Sequence, residues 1–316
     1  MTVKIERYRR EKADEWNAFV AESKNGTFLF DRRYMDYHSN RFNDFSLIIR
    51  NEKGKIIALL PANEKDGTLY SHQGLTYGGI LLTCKSTAVE VSEIFEHLCE
   101  YMRKEGIGTF IYKVIPHVYH SLPAEEDLYA LYNVCDATLI SRSIGSCIIM
   151  DNRLPLRQNR RTALNKAHFC GTSVKESNDF DTFWGILCDN LKQTYNSAPV
   201  HTVEEIKRLK NAFPEKIRLY MSYNMEGTAT GGIVIYEMKH VVHTQYISAN
   251  EEGKRDGAVD AIMEYLMNHY SDRQYFDFGT STIDNGRRIN ESLIFQKEGF
   301  GARGICYDTY EIVLNN

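Results

Sequence analysis

The sequence predicts a mixed α/β (α+β) chain of two domains in tandem, and three observations carry that prediction. At 316 residues the chain exceeds what one apolar core usually serves, and cores tend to divide near this length. Hydrophobic residues make up 43% and charged residues 25%, which is folded-protein usage and excludes a disordered or collagen-like chain. The same order of elements also occurs twice, with matching elements roughly 165–172 residues apart. The expected boundaries are 1–145 and 146–316, with a helical insert over 180–213 in the second domain.

The elements follow in order. Ala13, Trp16 and Val20 share one face of a helix expected over 11–22. Asp31 is placed to cap a second, aromatic-rich helix before Tyr34, Tyr37 and His38. Strands at 46–50 and 55–62 flank a turn whose Gly54 supplies positive φ. A short strand near 69–71 leads into the run Gly74-Leu75-Thr76-Tyr77-Gly78-Gly79. Val91, Ile94, Phe95, Leu98 and Met102 recur at helical spacing, Gly106 stops that helix, and 109–115 is a strand.

The second half repeats this plan. Strands at 218–223 and 228–236, a longer strand at 240–249, a helix at 258–269 and a strand at 274–278 follow one another. In the insert, Asp181 or Asn178 is placed to cap a helix bearing Phe183, Trp184, Leu187 and Leu191. Thr202-x-x-Glu205 reads as a capping box that starts another. The link 195–201 is therefore held between two fixed helix ends and can present polar groups accurately.

Charge and composition narrow the function. The formal charge is −4 and the pI about 6.2, which argues against a dedicated nucleic-acid coat. The longest apolar runs fall far short of the ~18 residues a bilayer helix needs. The amino terminus mixes both charges, unlike a signal peptide. Seven scattered cysteines without a C-x-x-C pair read as reduced, so a cytoplasmic location is expected.

Several motifs fail. Asp277-Phe278-Gly279 spells a kinase tripeptide without its companion segments, and no phosphate-cradling G-x-x-x-x-G-K or G-x-G-x-x-G occurs. No G-x-S-x-G elbow is present either. His240 and His243 point to opposite faces of a strand, and His117 with His120 read as surface histidines, so no metal site is expected.

One junction survives. Residues 249–258 run from a strand through a glycine- and cation-containing turn into an amphipathic helix. Helix-start amides, Gly253 and Gly257 for close approach, and Lys254 or Arg255 together suit a pyrophosphate, with Ala258 opening the helix. This order of strand, turn, helix and strand resembles the core of the GNAT N-acyltransferases, whose matching turn holds acyl-CoA. Lysine stands first in Lys254-Arg255-Asp256-Gly257-Ala258, where that family has arginine or glutamine, and alanine directly follows the glycine. Over most of the chain the resemblance extends to the Fem-like branch, with two GNAT folds in tandem, including bacterial acetyltransferase-like members. It rests on the basic run 157–167, on Tyr275-Phe276-Asp277-Phe278-Gly279-Thr280-Ser281, on Gln296-Lys297-Glu298-Gly299-Phe300-Gly301-Ala302 and on Pro199-Val200-His201-Thr202.

The resemblance implies two GNAT-like domains, each a central, mostly antiparallel sheet flanked by helices. It implies acyl transfer from acetyl-CoA or another acyl-CoA to the amine of a small acceptor. An aminoacyl-tRNA donor, or a binding protein without catalysis, are the alternatives. His201 is the first candidate base, Tyr246 a proton donor to the leaving group, Asp277 an orienting carboxylate and Lys297 a phosphate partner. Gly231-Gly232 is expected to let its strand part from its neighbour. Strand alternation places His243 and Gln245 on one face, opposite Thr244 and Tyr246. His243, Gln245, Tyr195, Arg157, Arg161 and, in a pocket between the domains, Tyr77 complete the expected substrate contacts.

Overall fold

The computed structural model describes residues 3–314, without the side chains of His38, Thr194 and Tyr195. The first half holds β1 (Val3–Arg7), α1 (Ala13–Glu22), the single-turn α2 (Arg32–Met35) and β2 (Asn43–Asp44). Strands β3 (Leu47–Asn51), β4 (Ile56–Leu60), β5 (Asn63–Lys65), β6 (Thr68–Tyr70) and β7 (Leu81–Leu82) follow. Then come α3 (Ala88–Lys104), β8 (Thr109–Lys113), α4 (Glu126–Asn133) and β9 (Thr138–Ile149).

The second half starts with α5 (Gln158–Phe169), β10 (Ser173–Ser177), α6 (Phe180–Tyr195) and α7 (Val203–Ala212). Strands β11 (Ile217–Tyr223), β12 (Ala229–Glu237) and β13 (Val241–Ala249) lead into α8 (Glu251–Asp256) and α9 (Ala258–His269). Strand β14 (Tyr275–Thr280), the short strands β15 (Thr282–Ile283) and β16 (Arg288–Ile289), α10 (Glu291–Gly299) and β17 (Arg303–Val313) complete it.

Two compact units result. Unit 1 is Met1–Ile144 with Thr282–Arg288 and Cys306–Asn316; unit 2 is Gly145–Ser281 with Ile289–Ile305. A single division at 145/146 does not anticipate the return of 282–288 and 306–316 to unit 1.

In unit 1 one sheet runs β1-β3-β4-β7, all antiparallel. A second has β8 between β17, antiparallel, and β6, parallel. Thr87 and Glu90 form a reciprocal capping box at the start of α3, which sequence reasoning did not single out. The inner face of α3 (Val91, Ile94, Phe95, Leu98, Met102) is buried against Leu47, Ile49 and Phe110. Asp31 caps α2 by accepting from the Arg33 amide, but the helix stops after one turn and tightens into 3-10 geometry.

Unit 2 is built on the order β10-β11-β12-β13-β14, with the 145–149 half of β9 beyond β14. All pairs are antiparallel except β13 with β14. One sheet face carries Ile233, Ile235, Val242 and Phe276, packed on Ile262, Met263 and Leu266 of α9. Each such side chain contributes ~1.5–3 kcal/mol by leaving water. Helix α6 covers the opposite face, with Phe183 seated where a Cβ on Gly232 would stand. Asp179, not Asp181 or Asn178, caps α6 by accepting from the Thr182 amide. The capping box at Thr202 and Glu205 forms at α7.

Candidate functional site

Strands β13 and β14 stay paired only briefly. Their parallel register covers Val241↔Tyr275, Val242↔Phe276 and His243↔Asp277, after which β13 continues beside β12 and β14 beside β9. The parting therefore lies between β13 and β14. Strand β12, where Gly231-Gly232 was expected to open, is paired along its length with both neighbours.

Each parting strand also carries a bulge. On β13 the register jumps from Ile235↔Thr244 to Val234↔Tyr246, so Gln245 is the extra residue. Simple alternation placed His243 and Tyr246 on opposite faces. The bulge resets the count, because His243 pairs Tyr236 and Tyr246 pairs Val234, two residues apart on one face of β12. Both side chains thus lie on the α6 face. On β14 the register slips between Asp277 and Thr280. Gly279 takes φ +67 there, and a Cβ on it would stand 3.1 Å from His243 Cε1.

At the point of separation, His243 Nδ1 donates to Asp277 Oδ2 at 2.6 Å. Asp277 is 0% exposed and His243 is 7% exposed, so the bond is shielded from water. The Gly279 amide donates to the same carboxylate oxygen at 3.1 Å. These two donors hold the carboxylate in place and fix the imidazole orientation. Lys297, reaching in from α10, donates to the Gly279 carbonyl at 3.0 Å and the Thr280 carbonyl at 2.7 Å. Burial pushes its pKa down to about 8, against an opposing pull from Asp277. Cys147 of β9 is the register partner of Asp277 on β14, and burial together with that carboxylate pushes its thiol pKa well up.

A second pair forms on the same sheet face. Tyr246 Oη and His201 Nδ1 are 2.6 Å apart, and the His201 amide donates to the same hydroxyl at 3.3 Å. Trp184 of α6 packs edge-on against Tyr246 and donates to the His201 carbonyl at 3.1 Å. Burial raises the Tyr246 pKa to about 12. The α6–α7 link is thus anchored to the sheet through His201.

The other expected contacts fall elsewhere. Tyr77 is a buried residue of unit 1 whose hydroxyl donates to Thr27 Oγ1 at 3.1 Å. Tyr195 lies outside the described side chains. The basic run on α5 is engaged within the chain. Arg157 meets Glu298 at 3.0 Å, Arg160 meets Asp260 at 3.2 Å and Lys166 meets Asp256 at 3.3 Å. Arg161 is exposed and donates to Gln158. His120, expected at the surface, is half-buried against the Ile115 carbonyl, and burial lowers its pKa to about 4.

The 249–258 junction differs most from expectation, and it bears directly on acyl-CoA. It is not an open turn: Asn250 caps the short helix α8 by accepting from the Gly253 amide at 2.8 Å. Glu251 and Glu252 occupy the first turn of α8, Glu251 paired with Lys254 at 2.7 Å and Glu252 accepting from Asn224 at 2.9 Å. Gly257, at φ +80, is the joint between α8 and α9, and a Cβ there would lie 2.2 Å from the Ala163 carbonyl oxygen. Asp260 in the first turn of α9 bonds its own amide and Arg160. Gly253 is buried under the Thr230 carbonyl, Gly257 lies against Ala163 of α5 and Ala258 is buried, while Lys254 and Arg255 stay exposed and pair with Glu251 and Asp256.

Among the described residues, no cluster of three or more His, Cys, Asp or Glu side chains is arranged to hold a metal ion. None of the described helices is long and apolar enough to cross a membrane. Sequence reasoning missed the two bulges and Cys147. Gly279 was the one local signal, since a glycine inside a strand marks a bulge.

No protein-family model matches this chain, and no curated protein matches it. Solved structures do. FemX superposes with a TM-score of 0.70 at 11% identity, covering 99% of this chain and 98% of its own. L-PGS from Bacillus licheniformis gives 0.62 at 12% identity, covering 98% and 94%. A tandem GNAT protein from the clavulanic acid biosynthesis pathway gives 0.50 at 12% identity, covering 100% and 99%. At these identities the likeness is one of fold.

Proposed function

We propose that this chain, which has the Fem-like tandem GNAT fold, transfers an activated acyl group to an amine. The acceptor class is a small amine such as an amino sugar, an amino acid or a cell-envelope precursor. One observation carries the reading: the buried His243–Asp277 bond stands where β13 and β14 part, with the Lys297 ammonium beside it.

Acyl transfer to an amine needs a proton acceptor, charge stabilisation at the carbonyl oxygen and an oriented pair of reactants. In this reading His243 takes the proton of the attacking amine. Asp277 fixes the ring tautomer and stabilises the imidazolium that forms. Lys297 faces the charge that develops on the carbonyl oxygen, and Tyr246, held by His201, returns a proton to the leaving group.

The likeness to FemX, at a TM-score of 0.70 against 0.50 for the tandem GNAT protein, supports the Fem-type donor, an aminoacyl ester on tRNA, ahead of acyl-CoA. The test offers purified full-length protein two labelled donors, acetyl-CoA and bulk tRNA charged with amino acids, with a panel of amino sugars and amino acids. Label leaving the tRNA faster than the blank is the expected result. Discharge of acetyl-CoA alone would replace the donor, and discharge of neither would count against transfer.

A further inference from the structure

Helix α3 carries Cys99 on its buried side among Phe95, Leu98 and Met102. Just past the end of α4, Cys135 packs against the same core. Their sulfurs lie 3.6 Å apart across a sequence separation of 36 residues, and both are thiols. Apolar packing alone does not require two sulfurs to meet. Covalent linkage needs them at ~2.05 Å, an approach of about 1.5 Å. Cys135 is half-buried, so a small reagent reaches the pair from its side. The Cys135 S–H beside the Cys99 sulfur, with Arg103 nearby, holds the Cys99 thiol below its ordinary pKa, while the same contact and burial push the Cys135 thiol well up, so Cys99 is the resolving thiolate. A thiolate is the form that attacks a disulfide.

We propose that Cys99 and Cys135 form a reversible disulfide when the protein meets a low-molecular-weight disulfide such as oxidised glutathione. Cys135, the sulfur a reagent reaches, attacks it while giving up its thiol proton to the departing sulfur; the reagent's S–S bond breaks and one glutathione thiol leaves. The Cys99 thiolate then attacks the Cys135 sulfur of the mixed disulfide and displaces the second glutathione. The protein loses two electrons and two thiol protons, and the reagent gains both as two molecules of thiol.

The bond would tie α4 to α3, two helices now joined by packing. Helix α4 carries Asp127, which accepts from the Tyr112 hydroxyl at 2.6 Å, and that hydroxyl accepts from the Ile80 amide. Oxidation therefore fixes the element that holds this buried chain of hydrogen bonds. A cross-link of this span restricts the unfolded chain, so the oxidised protein melts several degrees higher.

The test treats full-length protein with oxidised glutathione, blocks remaining thiols and maps tryptic peptides without reduction. The expected product joins residues 86–103 to residues 114–142 and disappears on treatment with dithiothreitol. Cys99 and Cys135 remaining open to alkylation, while exposed Cys84, Cys188 and Cys306 take up glutathione, would overturn the proposal. The Cys135→Ser variant gives an independent check, because Cys99 should then stay reduced. Loss of its thiol in that variant would equally remove the pairing.

Discussion

Lys297 is the residue whose ionisation most directly ties burial to chemistry. Burial holds its pKa at about 8, below the 10.5 of an exposed lysine. If its positive charge faces the reacting carbonyl, transfer is steady below that value and falls as the pH rises through it. A pH–rate profile checks this, and Lys297→Met should give a slow profile without the descending limb. The same shift has a stability consequence of known sign. Between about 8 and 10.5 the unfolded chain binds the extra proton, so wild-type stability rises with pH there. Urea titrations should show that gain in the wild type and not in Lys297→Met. Residue type, position and the family resemblance singled out His201, Tyr246, Asp277 and Lys297 for chemistry, and His243 as a substrate contact rather than a base. Their pairing was not legible, because it depends on registers between strands about 30 residues apart, as the His243–Asp277 separation of 34 illustrates.

Elements show where local sequence rules hold and where packing overrides them. The boxes Thr87/Glu90 and Thr202/Glu205 form as their spacing dictates, since capping is decided within one turn. The bulge at Gln245 has no comparable signal, and it reverses which side chains share a face with His243. Likewise, the cations of α5 read as a phosphate-binding stripe until Glu298, Asp260 and Asp256 are found opposite them. The α8–α9 joint yields a direct test of this packing. Gly257→Ala places a methyl group against the Ala163 carbonyl in a left-handed backbone conformation. A loss of at least about 2 kcal/mol is expected from strain and overpacking. Chemical denaturation measures it, and an unchanged midpoint would mean that α5 does not close over the start of α9.

For the molecule as a whole, the doubled order of elements was readable from hydrophobic period and turn residues, and the mixed α/β class followed from it. The return of 306–316 to unit 1 was not, because a strand's destination depends on its partner rather than its own pattern. The fold gives unit 2 a parallel pair that comes apart, a bulge on each strand, and a shielded acid–base pair at the fork. The most direct measurement compares single-turnover transfer by wild type and His243→Gln with the same labelled donor and acceptor, folding being confirmed by matching thermal melts. With His243 as the base, the variant is expected to be slower by roughly 10²–10⁴, the usual contribution of a general base. Equal rates in the two proteins would place the chemistry somewhere other than this fork.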